Sequence, residues 1–183
     1  MKNLMRCDAR CALFVLVVAA MVSVAQVPGW KTYTYPADGF SVSLPADPQI
    51  ETRYMPIAGG KSETRSYQAG FGEAGGLMVG MFNLVSIVPG KTPEQVLQDG
   101  KNGALAQTQA HLISEKKITL GDAPGLEMVA ENQSMHMKAR LFLSGARVYS
   151  VVEAYPIGKP FAHAEEFLQS FRLVPVVPAA GEK

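Results

Sequence analysis

The histidines and their neighbours are the first residues that could bind a metal ion. His111, His136 and His163 are the three in the sequence, and none lies in an H-x-x-x-H or H-E-x-x-H spacing, so a zinc-hydrolase helix is not indicated. The segment Met135-His136-Met137 offers thioether and imidazole groups, which suit copper(I). Strand alternation, however, places the two methionines on one face and His136 on the other. We therefore expect core methionines and no metal site.

Charged and polar residues in the second half of the chain form the best candidate site. The candidates are Glu127, His136, Lys138, Arg140, Tyr149 and Glu153. They could bind a ligand or a partner protein. Alternatively, Glu127 and Glu153 could be a carboxylate pair that performs acid–base chemistry in a hydrolase or isomerase. The interpretation that we favour is a ladder of opposite charges that contributes only stability.

Two predicted hairpins place these residues on one face of a sheet. A two-residue turn at residues 132–133 would pair Glu127 with Lys138, and a two-residue turn at residues 145–146 would pair Lys138 with Glu153. The opposite face would then collect apolar residues, including Met128 and Met137. A slip of one residue would mix the two faces, which favours these registers.

Other catalytic and binding motifs are missing from the sequence. The glycine-rich stretches at residues 59–60 and 70–76 lack the G-K-[ST] ending of a phosphate-binding loop, and no G-x-S-x-G motif occurs. The aromatic residues at positions 30, 33 and 35 have no basic patch beside them, so we expect core contacts rather than nucleic-acid stacking. We predict no catalytic residue, no cofactor and no nucleic-acid partner.

The first 25 residues have the pattern of a secretory signal peptide. Basic residues precede an apolar run over residues 11–22, and small residues at positions 23 and 25 predict cleavage between Ala25 and Gln26. An uncleaved membrane anchor is the alternative. Cleavage would remove both cysteines, Cys7 and Cys11, and leave 158 of the 183 residues. We therefore predict an exported protein, periplasmic or extracellular, without disulfides and without a membrane-inserted segment.

Residues 26–174 are predicted to form a single domain that is followed by a flexible tail, 175–183. Strand patterns dominate, and residues 77–88 are apolar on both faces, which indicates a strand covered on both sides.

Thr92 and Gln95 predict a capping box at the start of a helix over residues 93–110. Glycines 100 and 103 in this helix suggest a close approach to the sheet. A second helix is predicted over residues 160–171. The fold class is α+β, with an antiparallel sheet of about 6–8 strands between helical layers.

Several segments resemble those of the PsbP-like domain superfamily. They are residues 38–45 (DGFSVSLP), residues 121–127 (GDAPGLE), residues 140–143 followed by 147–149, and residues 167–171 (FLQSF). The resemblance implies an α/β/α sandwich. Members of the superfamily include an extrinsic photosystem II subunit, small secreted bacterial proteins and lipoproteins, and a nuclear-import factor. They share binding or accessory roles and no common reaction. The resemblance therefore implies a binding or accessory role and no particular ligand. We expect a non-catalytic, monomeric accessory domain whose partner is an envelope protein or a small ligand.

Overall fold

The computed structural model describes residues 29–57, 60–70, 75–84, 90–160 and 162–177. The predicted signal peptide, its Ala25–Gln26 junction and most of the predicted tail lie outside the described residues. Within those ranges, neither helix is long and apolar enough to cross a membrane.

The described residues form ten strands and two helices. In chain order they are β1 Lys31–Tyr35, β2 Phe40–Leu44, β3 Gln49–Ile57, β4 Gly60–Ala69, β5 Gly76–Asn83, α1 Pro93–Thr108, β6 His111–Leu120, β7 Ala123–Glu131, β8 Met135–Ser144, β9 Arg147–Pro156, α2 Ala164–Ser170 and β10 Arg172–Leu173. The predicted capping box is present, because Thr92 and Gln95 exchange side-chain hydrogen bonds with each other's backbone N–H groups.

The strands form two antiparallel sheets. The larger has seven strands in the order β3-β4-β5-β9-β8-β7-β6, and the smaller has three in the order β1-β2-β10. Short connections favour this arrangement, because antiparallel neighbours can be joined by tight turns. The α+β class and the antiparallel sheet predicted from the sequence are confirmed.

The two faces of the seven-stranded sheet are covered by different layers. Helix α1 covers one face, where Leu97 is buried against Leu126, Leu141, Leu143 and Val148. The other face is covered by the three-stranded sheet together with α2, and its core includes Phe40, Val42, Val79, Val151 and Phe167. The predicted sandwich of a sheet between helical layers is therefore not confirmed, because the layer opposite α1 contains a second sheet as well as α2. Strand β5 is interior and apolar on both faces, as predicted, although residues 85–88 lie outside the described ranges.

One predicted hairpin register is wrong by two residues. Strand β8 pairs Arg140, not Lys138, with Glu127, and it pairs Ala139 with Met128. The turn is centred on residues 133–134, because the Asn132 side chain accepts hydrogen bonds from the backbone N–H groups of Ser134 and Met135. An even shift keeps each side chain on its predicted face. The other predicted register, Lys138 with Glu153, is confirmed.

Two predictions about the helices also need correction. Helix α2 begins only at Ala164, because His163 has a left-handed backbone (φ 63°) that does not continue a helix. In α1, the two glycines do not allow a close approach to the sheet. A Cβ atom at Gly100 would lie at an ordinary 3.7 Å from Leu141, and one at Gly103 would contact nothing within 4 Å.

Candidate functional site

The charged candidates lie on the face of the seven-stranded sheet that also carries α2. Strand alternation and pairing put Glu127 of β7 beside Arg140 of β8, while Glu165 reaches them from α2. We use the name charged row for five residues, which are Lys116, Glu127, Lys138, Arg140 and Glu165. Glu165 had not been singled out in the sequence, because nothing in the helix pattern shows which strand residues α2 will cover.

Ion pairs connect every member of the charged row. The Arg140 Nε atom donates to the Glu127 Oε2 atom at 2.6 Å, and its Nη2 atom donates to the Glu165 Oε1 atom at 2.7 Å. The Lys138 Nζ atom lies 2.6 Å from Glu165 and 3.9 Å from Glu127. The Lys116 Nζ atom lies 2.9 Å from Glu127. Each carboxylate therefore has at least two cationic partners.

The two carboxylates of the charged row are held ionised. Burial opposes ionisation of Glu165, but hydrogen bonds from Lys138, Gln169 and Arg140 outweigh it and lower the pKa of Glu165 to about 2. Burial likewise opposes ionisation of Glu127, whose pKa is nevertheless lowered by hydrogen bonds from Arg140 and Lys116. Both carboxylates bind lysine and arginine side chains of the charged row and have no proton to donate at neutral pH.

Glu153 differs from its charged neighbours. It is 5% exposed, and its Oε2 atom is buried without a hydrogen-bond partner among the described residues. Although Lys138 is its cross-strand neighbour, the Lys138 ammonium group bonds to Glu165. Burial raises the pKa of Glu153 above its ordinary value.

Glu127 and Glu153 do not form a catalytic pair. Strand β8 separates their strands, so the two backbones lie about 10 Å apart across the sheet. Both residues are almost completely buried, at 6% and 5% exposure. Since Glu127 is fixed by ion pairs and Glu153 lies on a different strand outside the groove lining, the geometry does not support the hydrolase or isomerase alternative.

His136 and Tyr149 lie apart from the charged row. The His136 Nδ1 atom is 2.8 Å from the Glu131 Oε1 atom, and its ring stacks on Tyr155 at 4.9 Å. Tyr149 is buried in the core and donates a hydrogen bond to the Asp38 carbonyl oxygen at 2.7 Å. The structure thus brings Glu127, Lys138 and Arg140 together. In the described parts of the chain, no cluster of three or more His, Cys, Asp or Glu residues could hold a metal ion.

Sequence reasoning missed a second polar cluster, centred on Asp38 in the turn between β1 and β2. The buried Asp38 carboxylate accepts hydrogen bonds at 3.0 and 3.2 Å from the Arg65 Nη1 atom, and another from the Tyr67 hydroxyl. We call Asp38, Arg65, Tyr67 and Tyr149 the Asp38 cluster. It ties the small sheet to the large one. In the sequence, Asp38 belongs to the segment DGFSVSLP on which the PsbP-like resemblance rests, and nothing local in that segment shows that its carboxylate is buried.

An open groove lies beside the charged row, between α2 and the edge of the seven-stranded sheet. Its volume is about 390 Å³, within the range of ligand pockets. Apolar lining comes from Ile118, Leu120, Phe142, Leu168 and Phe171. Lys116, Arg140 and Arg172 supply positive charge, against the single carboxylate of Glu127.

The short length of α2 explains the groove. Seven helical residues span only about 10 Å. The helix covers strands near the centre of the sheet, but it leaves the same face of the edge strand β6 uncovered, where Ile118 and Leu120 remain only partly buried. The core is therefore open to solvent at this edge.

Comparison with solved structures identifies the fold. The chain is similar to cyanobacterial PsbP (CyanoP) from Synechocystis sp. PCC 6803, with a TM-score of 0.55 and 11% sequence identity over 81% of this chain and 95% of that one. It also matches a Pseudomonas aeruginosa protein of unknown function, with a TM-score of 0.41 and 11% identity over 76% of this chain and 92% of that one. No family model and no curated protein matches the sequence. The chain has a PsbP-like fold, as the sequence resemblance implied.

Proposed function

We propose that this protein is a non-catalytic binding domain that is exported to the bacterial envelope and serves there as an accessory to another component. The observation that carries the proposal is the groove beside α2, where apolar side chains that pack on the described core lie next to the charged row. The one carboxylate along its wall, Glu127, is already paired with Lys116 and Arg140. These paired groups can therefore shape and orient a binding surface, whereas acid–base chemistry would need an unpaired group.

Export is supported by the signal-peptide pattern of residues 1–25. Fractionation of cells that express the full chain should place it in the periplasm or the medium. N-terminal sequencing should begin at Gln26. A product that begins at Met1 in the membrane fraction would contradict export as a cleaved protein.

The binding role can be tested by filling the groove. Gln169 is exposed, belongs to α2 and lines the groove, so the variant Gln169→Trp should block it. The matched control is Gln107→Trp, at an exposed position of α1 on the other side of the sheet. We expect a small molecule or protein captured from envelope extract to be lost by Gln169→Trp and retained by Gln107→Trp. Equal capture by both variants would contradict the groove as the binding surface.

A further inference from the structure

The groove contains a cation that is not neutralised by a carboxylate. Arg172 is exposed, and its Nη1 atom donates only to the backbone carbonyl groups of Gln169 and Phe171. Within the described ranges, no carboxylate lies within 4 Å of its guanidinium group. Lys116 and Arg140, by contrast, are both ion-paired with Glu127. The groove therefore offers one unpaired positive charge, with free N–H donors, to whatever enters it.

The floor beside Arg172 is apolar and rigid. The rings of Phe142 and Phe171 are stacked 5.8 Å apart and nearly parallel, and Leu168 is buried next to them. These side chains belong to the main core and are themselves almost completely buried, so the accessible apolar surface of the groove comes from the partly buried Ile118 and Leu120 beside them. An apolar body placed on this floor would extend the core and be removed from water.

The side chains that line the groove offer few free hydrogen-bond partners for the amide groups of a peptide. Arg140 and Glu127 bond to each other, and the Gln169 amide donates to Glu165. A buried amide without a hydrogen-bond partner is costly, whereas a hydrocarbon chain needs none. The charge of the groove and the character of its floor thus favour a small amphiphile over a peptide.

We propose that the groove binds an amphiphilic carboxylate, a medium-chain fatty acid or its chemical equivalent, with the hydrocarbon against Ile118 and Leu120 and the carboxylate on Arg172. This rests on the proposed binding function and specifies its ligand class. Arg172 would recognise the head group by charge and by paired N–H donors. Glu127 would remain neutralised by Arg140 and would not repel the ligand.

Calorimetric titration of the full chain with decanoate, below its micellar concentration, tests this inference. We expect saturable 1:1 binding, and binding of decanol, which has the same chain but no charge, at least about tenfold weaker. The variant Arg172→Gln should weaken decanoate binding by about tenfold and leave decanol unchanged. Arg172→Lys should retain part of the preference for decanoate over decanol. Arg53→Gln, on the opposite edge strand of the sheet, should have no effect.

The wild-type comparison keeps the test valid even if Arg172→Gln does not fold, because decanoate and decanol differ only in the head group. Absence of saturable decanoate binding, or equal affinity for decanoate and decanol, would overturn the inference. If decanoate does not bind but Gln169→Trp still abolishes capture from envelope extract, only the ligand class is wrong. If decanoate does not bind and Gln169→Trp leaves capture unchanged, the proposed binding function is wrong as well.

Discussion

The Asp38 cluster and the charged row use similar residues in opposite ways. Each combines a nearly buried carboxylate with an arginine, Asp38 with Arg65 of the other sheet and Glu127 with Arg140 of the adjacent strand. Asp38, however, has a single arginine and one tyrosine hydroxyl as side-chain partners. Glu127 has three cations within 4 Å. Loss of one arginine would therefore leave Asp38 without a cationic partner, whereas Glu127 would still have two lysines within 4 Å.

The local backbone reinforces this difference. Asp38 lies in a turn whose next residue, Gly39, has φ 78°, and a Cβ atom there would lie 2.9 Å from both the Tyr149 hydroxyl and Val176. The position favours glycine both for its left-handed backbone and for the space available. The charged row has no such constraint, because it is formed by long side chains from separate strands and a short helix. The Asp38 cluster thus acts as a sterically constrained anchor between the two sheets, whereas the charged row joins α2 to the sheet through several alternative ion pairs.

The largest effect should follow from Asp38→Ala. This change leaves Arg65 without its buried partner and the Tyr67 hydroxyl without its acceptor, which should cost about 3 kcal/mol of unfolding free energy in urea denaturation. The matched control is Asp47→Ala, an exposed aspartate that also accepts a tyrosine hydroxyl, from Tyr33. The control should change stability little. Equal losses at Asp38 and Asp47 would contradict the role of the Asp38 cluster as an anchor.

A smaller loss is expected for Arg140→Met. The variant removes two ion pairs but leaves Glu127 with Lys116 and Lys138, so we expect a loss of about 1–2 kcal/mol in the same denaturation experiment. Arg53→Met, at an exposed pair with Glu51, is the control and should be close to neutral. A loss as large as that of Asp38→Ala would show that Lys116 and Lys138 cannot stabilise Glu127 in the absence of Arg140.

Glu153→Gln should stabilise the protein at neutral pH by about 1 kcal/mol, because it removes a carboxylate that is buried without a full set of partners. The folded-state pKa of Glu153 is raised. Its contribution is therefore most favourable below the unfolded pKa of about 4.3, and declines as pH rises through the folded value.

The pH profile is the measurement that checks this prediction. His136, Lys138 and Arg140 from β8 and Glu165 from α2 are the charged or titratable groups around Glu153, and they are present in both proteins. The difference in unfolding free energy between Glu153→Gln and wild type should thus grow with pH. A difference that is constant from pH 4 to 8 would show that Glu153 does not titrate as inferred.

The contrast also explains what could be predicted from the sequence. Strand alternation placed Glu127, Lys138 and Arg140 on one face, and this survived a register error because the shift was even. The Asn132 side chain determined the true turn, a tertiary detail that the hydrophobic pattern does not contain. The burial of Asp38 and the arrival of Glu165 depend on contacts between distant parts of the chain. Local periodicity predicts the faces of elements, but not which element covers them.

Glu165→Gln should change the unfolding free energy least, and in the opposite direction to Glu153→Gln. Since the Glu165 side chain is 43% exposed, we expect a loss below about 1 kcal/mol at pH 7. Its pKa is lowered to about 2. The stability it contributes is therefore complete above about pH 4.5 and is lost as pH falls toward 2.

Denaturation of wild type and Glu165→Gln between pH 5 and pH 2 checks this prediction. The two curves should converge in acid, whereas those of wild type and Glu153→Gln should diverge toward alkaline pH. Two glutamates that share Lys138 as a neighbour would then titrate with opposite consequences for folding. That result would agree with a Lys138 ammonium group that bonds to Glu165 and not to Glu153, an ion pair that adds to the apolar packing of Phe167 and Leu168 in the core. A difference between wild type and Glu165→Gln that stays unchanged down to pH 2 would instead mean that the stability contributed by Glu165 does not come from its ion pairs.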